Sequence, residues 1–192
     1  TAVAALRDVY AGRGQLACLI VSKRDVENRF DAESAQRLVR DGAAHLIGDP
    51  AEAEVQLIAL GAYQLDEAVK AQQHLAKMGK RACVTVILEP GRLRIPRDAM
   101  EAEFVDDDAT VSTLFPQGLP RVILTHTRPE PMLGILRRID NGPAKTHALG
   151  YISRGGTFDV PGMLFANRCT WAHAVDAAAT MVGWNREALL DH

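Results

Sequence analysis

Four places along the chain hold residues whose types and settings suit chemistry. Thr125-His126-Thr127 closes the apolar run that begins at Arg121, and open α/β sheets gather ligands and reactive groups at the carboxyl ends of their strands. An imidazole there can exchange a proton near neutral pH. The sequence supplies no Gly-x-Ser-x-Gly elbow to go with it, so His126 either meets a ligand or occupies a loop end or subunit interface. Gly150-Tyr-Ile-Ser-Arg-Gly-Gly-Thr157 runs strand-like residues into a glycine pair. The backbone amides of Gly155, Gly156 and Thr157, beside Arg154, suit an anion, and the same glycines equally suit a plain bend. Asn167 and His173 suit either a site or the pairing of backbone groups at a helix junction. Gly61 stands between a strand and a helix, where an anion can sit on helix N–H groups. Leu-Gly-Ala-Tyr lacks the three glycines of a dinucleotide fingerprint and the Gly-Lys-Ser/Thr of a P-loop, which favours a tight turn.

Other groups carry less. His45, His74 and His147 are isolated, and the carboxylates are scattered along helix surfaces with no spacing that sets two around a substrate. Neither C-x-x-C nor H-x-x-x-H occurs, so no metal site is expected. Cys18, Cys83 and Cys169 are odd in number and far apart, and two of them lie in apolar runs, which fits a reduced, cytoplasmic protein.

The elements that must position these residues alternate in type. Leu16–Val21 is a continuous apolar run and is expected to be a strand buried on both faces. Asp31 to Asp41 has an acidic start and a Gly42 stop, predicting a short surface helix, and a brief apolar piece, Ala44–Ile47, follows. Val55–Leu60 predicts a strand, Leu65, Ala68, Val69, Leu75 and Ala76 keep helical spacing up to Gly79, and Ala82–Leu88 predicts a second strand. Strand, helix and strand within about 35 residues make one right-handed βαβ unit with parallel strands. Between Glu89 and Pro120 the chain is irregular, with Asp106-Asp-Asp108 placed to cap a short helix through Leu114. Then come a strand from Arg121 to Thr125, a helix from Pro131 to Ile139, and a strand from Thr146 to Ile152. Asp159 and Pro161 open another helix, and Trp171, Val175, Ala178, Ala179 and Val182 form one apolar helix face. Such alternation predicts a three-layer α/β/α domain around a mostly parallel, mixed sheet of about five strands.

The bulk numbers set limits. The 192 residues suffice for one ordinary core, and residues 1–192 are expected to form a single domain. Residues 1–14 read as a linker or entry helix from a preceding domain, because the start at Thr1 has neither an initiator Met nor a secretory layout. A net charge of -2 provides no positive field for nucleic acid. No apolar stretch approaches the roughly 18 to 20 residues of a membrane span.

Taken in order, Val55–Leu60, Gly61, a long helix, Gly79 and Cys83–Leu88 resemble the C-terminal domain shared by transketolase-like enzymes. Arg121-Val-Ile-Leu-Thr-His126, Gly150-Tyr151, Gly155-Gly-Thr157, Met163, Asn167 and His173 resemble the segment that ends phosphoketolases, and Leu19-Ile-Val-Ser-Lys23 resembles the strand that opens that domain. The resemblance implies a mixed sheet with one reversed strand. It also implies a parent enzyme acting on ketose phosphates of the xylulose 5-phosphate type, with thiamine diphosphate and Mg2+ held by two other domains at a dimer interface. On that view this domain holds neither cofactor nor catalytic residue, and it packs on the preceding catalytic domains of the same polypeptide within a homodimer. Met163, Leu164, Phe165 and Trp171 are expected to offer apolar contact surface. The alternative is a free-standing α/β binding or regulatory module whose Gly155–Thr157 loop and His126 form a small-anion pocket.

Overall fold

The computed structural model describes residues 24–152 and 155–190 together with isolated positions nearer the N-terminus. In chain order its elements are α1 (Ala32–Asp41), β1 (Ala43–Ile47), β2 (Val55–Leu60), α2 (Ala62–Lys77), β3 (Ala82–Ile87), a short 3-10 turn (Pro90–Leu93), α3 (Ala99–Ala102), α4 (Asp108–Leu114) and β4 (Arg121–Thr125). There follow α5 (Pro129–Ile135), a second 3-10 turn (Arg137–Ile139), β5 (Thr146–Leu149), α6 (Val160–Ala166), α7 (Trp171–Val182) and α8 (Arg186–Leu190).

Local chemistry sets several boundaries. The Asp31 carboxylate accepts the Ser34 amide at 2.8 Å to start α1, and Gly42 ends it in the left-handed region at φ 67°. Asp107 caps α4 through the Thr110 amide, and Asp159 caps α6 through the Gly162 amide. Pro161 lies in the first turn of α6, where its missing N–H costs no helical bond.

The sheet order is β1-β3-β2-β4-β5. β2 pairs in parallel with β3 and β4, β4 pairs in parallel with β5, and β1 alone runs antiparallel, with His45 opposite Thr85. This is the mixed, mostly parallel five-stranded sheet expected. β2, β3 and β4 are buried at every position, so their side chains must satisfy two apolar layers at once. Alternation along β2 shows the division: Leu57 and Ala59 pack under α2 and α7 with Leu65, Leu75, Val175 and Ala178. Ile58 and Leu60 face the other side with Leu93, Val111, Phe115, Leu136 and Ile139. Removing one such leucine side chain costs about 2 to 5 kcal/mol.

The second layer also buries a polar ladder. The Arg121 guanidinium, 1% exposed, donates to Gln56 Oε1 at 3.1 Å and to the carbonyls of Ile139 and Pro116. Gln56 Nε2 donates onward to Thr85 Oγ1 at 2.7 Å and to Leu114 O at 2.8 Å, and Thr85 Oγ1 meets His45 Nδ1 at 2.9 Å. Burial pushes the Arg121 guanidinium down to about 10, a measure of the desolvation that these bonds must offset.

Three expectations need correction. In Leu16–Val21 the described positions Cys18, Ile20 and Val21 are in no strand, and Ile20 and Val21 are 80% and 73% exposed; Leu16, Ala17 and Leu19 lie outside the described residues. The fifth strand is β1, whose register against β3 supplies the ladder bonds that an apolar run alone does not guarantee. The strand from Thr146 stops at Leu149, because the Tyr151 amide turns to Thr127 O instead of a sheet partner. The helix expected from Pro131 to Ile139 is α5, which begins with Pro129 in its first turn and breaks at Leu136 before the second 3-10 turn. The proposed entry segment 1–14 lies largely outside the described residues. No described helix is long and apolar enough to cross a membrane.

Candidate functional site

β2 and β4 are neighbours whose onward connections part: β2 leads through α2 to β3 on one side, β4 through α5 to β5 on the other. A doubly wound sheet opens a crevice at the carboxyl ends of such a pair. Here Leu60-Gly61 and Thr125-His126-Thr127 stand at that place.

His126 is fastened to β2 twice, its amide donating to Leu60 O at 3.2 Å and its Nδ1 lying 3.0 Å from the same oxygen. A carbonyl only accepts, so Nδ1 carries the ring proton and Nε2 is the remaining nitrogen of an exposed imidazole. Gly61 opens α2 at φ 115°, a conformation that side chains resist, and no side chain caps that helix. A Cβ at Gly61 would stand 2.5 Å from Gln64 Oε1 and 3.3 Å from His126 Nδ1. Gln64 is only 5% exposed, yet the buried side-chain atoms left without a partner among the described residues are His45 Nε2 and Asp106 Oδ2, not those of its amide.

The neighbouring loops are tied together. At Gly150 a Cβ would lie 2.4 Å from Thr127 O and 2.7 Å from Thr125 Cγ2, so only glycine lets the β4 and β5 ends approach this closely. Tyr151 N donates to Thr127 O at 2.9 Å, and Ile152 N donates to Asn167 Oδ1 at 2.8 Å. Asn167 Nδ2 donates to Met163 O at 2.8 Å, so both ends of its amide are engaged by backbone. His126 and Asn167 thus belong to one connected set of contacts running through Thr127, Tyr151 and Ile152.

His173 stands apart. Its Nδ1 lies 2.7 Å from Thr170 Oγ1 and its ring packs on Phe165 at 5.7 Å, while burial, then Arg168, holds it below the usual imidazole range. Gly155 and Gly156 have φ 74° and 86°, and Thr157 is exposed; among the described residues none of the three bonds to His126, Asn167 or His173. Arg154 lies outside the described residues. No group of three His, Cys, Asp or Glu able to hold a metal occurs among the described residues.

Gln64 and Glu67 escaped the sequence reading, and Gly150 was named there without the close approach it permits. Glu67, 5% exposed on α2, accepts the Trp171 amide at 2.7 Å and pairs with Lys70, so a carboxylate from one helix caps the start of α7. Gln64 did leave one signal: glutamine in the third helical position after Gly61, where a side chain folds back toward its own helix start.

No family model and no curated protein matches the chain. Among solved structures, transketolase from Pichia stipitis in complex with xylulose 5-phosphate is similar at TM-score 0.56 and 16% identity, over 77% of this chain and 19% of that one. Its complex with sedoheptulose 7-phosphate gives the same values. A split-gene transketolase, an inactive β4 tetramer, is similar at TM-score 0.53 and 15% identity, over 84% of this chain and 48% of that one. The chain therefore has a transketolase-like domain fold and spans about a fifth to a half of the length of these relatives.

Proposed function

We propose that this chain is the C-terminal structural and dimerising domain of a thiamine-diphosphate-dependent ketolase of the phosphoketolase type, acting on ketose phosphates such as xylulose 5-phosphate in the cytoplasm. One observation carries the reading: most of this chain has the fold of a minor part of a sugar-phosphate-binding transketolase. The tail pattern from Arg121 to His173 supports the narrower, phosphoketolase-type assignment. Thiamine diphosphate and Mg2+ then belong to companion domains of the same polypeptide. The employment of Asn167 and His173 in holding backbone and a helix start agrees with a packing role.

Phe165, Phe158 and Tyr151 are 69%, 53% and 45% exposed and supply apolar area for the preceding domains and a second copy. Leu164, expected among these contacts, instead points into this domain's own core at 6% exposure, because alternate helical positions face opposite ways. Met163 and Trp171 are half-buried.

Titrating the chain with thiamine diphosphate and Mg2+ by calorimetry tests the division of labour. The expected outcome is no stoichiometric binding; a one-to-one complex overturns it. Several hundred in-frame codons upstream of Thr1 are expected, and a reading frame opening at Thr1 would favour the free-standing module instead. Sedimentation at tens of micromolar is expected to show dimer, a scale at which modest interfaces persist.

A further inference from the structure

We infer that the surface cleft between the segment after β3 and the segment after β4 binds a small organic phosphate monoester, its phosphoryl group among arginines and its body against isoleucine. The site is independent of the ketolase assignment. The cleft has a volume of about 480 Å3, within the usual range for small-molecule sites. Arg94, Arg97 and Glu101 line it from the chain that follows the first 3-10 turn, and Arg137 from the second 3-10 turn. Three guanidinium cations thus share the cleft with one carboxylate, on a chain whose net charge is -2. That carboxylate is already engaged. It accepts from Arg97 Nε at 2.7 Å and from the Arg97 amide at 2.9 Å, and it lies 3.6 Å from Arg94 Nε. Hydrogen bonding to Arg97 holds Glu101 down to about 2, so the pair stays ionised at neutral pH. Arg94 is further fixed by donating from Nη1 to Gly91 O at 2.7 Å. Arg137 pairs with no carboxylate among the described residues. Two arginines therefore arrive oriented, and a third brings a charge that the fold leaves unmatched; their planar forks of N–H donors suit phosphoryl oxygens.

The rest of the lining has the other character. Ile95 and Ile135 are 53% and 38% exposed, and Pro131 and Gly134 complete the α5 side. Arginines alone would accept any anion, whereas the isoleucines favour one that carries an apolar body. Gly134 shows that the room is real. Glycine is a poor helix former, yet it stands within α5, and a Cβ there would meet nothing within 4 Å. Packing inside this chain does not call for glycine at 134, and the space it leaves belongs to the cleft.

The test is a titration of the whole 15N-labelled chain, at constant ionic strength, with phenyl phosphate and separately with inorganic phosphate and benzoate. Phenyl phosphate is expected to give saturable shifts centred on the amides of Arg94, Arg97, Gly134 and Arg137, at least about tenfold tighter than either control. Benzoate binding as tightly would overturn the phosphoryl assignment, and inorganic phosphate binding as tightly would overturn the part given to Ile95 and Ile135. Arg137→Gln removes the unmatched cation, so it is expected to keep the melting temperature and weaken binding at least about tenfold. Gly134→Leu fills open space with a better helix former; it is expected to melt no lower than the parent and to abolish saturation. Shifts that rise linearly, shifts centred elsewhere, or either variant folded and binding like the parent would each overturn the proposal.

Discussion

The two ends of the β2–β4 pair employ their polar side chains differently. At the amino ends, Arg121 and Gln56 are almost wholly enclosed, and their donors reach Thr85, Leu114 O, Ile139 O and Pro116 O. At the carboxyl ends, the exposed His126 ring reaches back only to Leu60 O, and the amide of Gln64 is not among the buried atoms left without a partner. A polar group that is buried and answered belongs to the architecture. The contrast separates the buried strut of this domain from the more exposed end of its sheet.

Substitutions can break that contrast. Arg121→Met strips three acceptors of their donor at once and is expected to destabilise the domain most, by about 3 kcal/mol, read as a lower urea midpoint at unchanged slope. A loss below about 1 kcal/mol would mean that the ladder is dispensable. Gln56→Leu removes the centre of the same ladder and is expected to cost about 2 kcal/mol, with strong non-additivity in the double variant with Arg121→Met. Glu67→Ala uncaps α7 and frees Lys70, for an expected loss of about 1 kcal/mol in thermal or chemical denaturation. Gln64→Leu is the sharpest control. The Gln64 amide takes no part in the ladder, and its loss is expected to change stability by no more than about 0.5 kcal/mol, or to raise it. If it instead costs as much as Gln56→Leu, the two ends do not differ in kind.

Features set by neighbours in sequence were legible. Asp31 with Gly42, the Asp107 cap and the Asp159-Pro161 start follow from bonds that span three residues or fewer, and all form where expected. The three inner strands were legible because burial on both faces leaves an unbroken apolar run. β1 was read only as a brief apolar piece, since a half-buried edge strand carrying His45 has no strong pattern of its own. Its identity as a strand depends on β3, about 40 residues away. The site was legible only in outline. His126 and Gly61 were marked by their place after apolar runs, but the tie of His126 to Leu60 O exists only once β4 lies beside β2. Arg121 looked like a strand boundary because charge ordinarily marks exposure; its partners come from residues 56, 116 and 139.

The reversed edge strand bears on how the chain assembles. The parallel core from Val55 to Leu149 is closed by crossovers that lie within that span, whereas β1 enters from before it and touches the sheet along β3 alone. β1 can therefore peel away with α1 while the parallel core keeps its pairing, leaving β3 as a temporary rim. In hydrogen exchange, the amides of Ala43–Ile47 should open as a separate unit, ahead of β2 and β4, making the amino-terminal flank of the sheet last to join and first to leave.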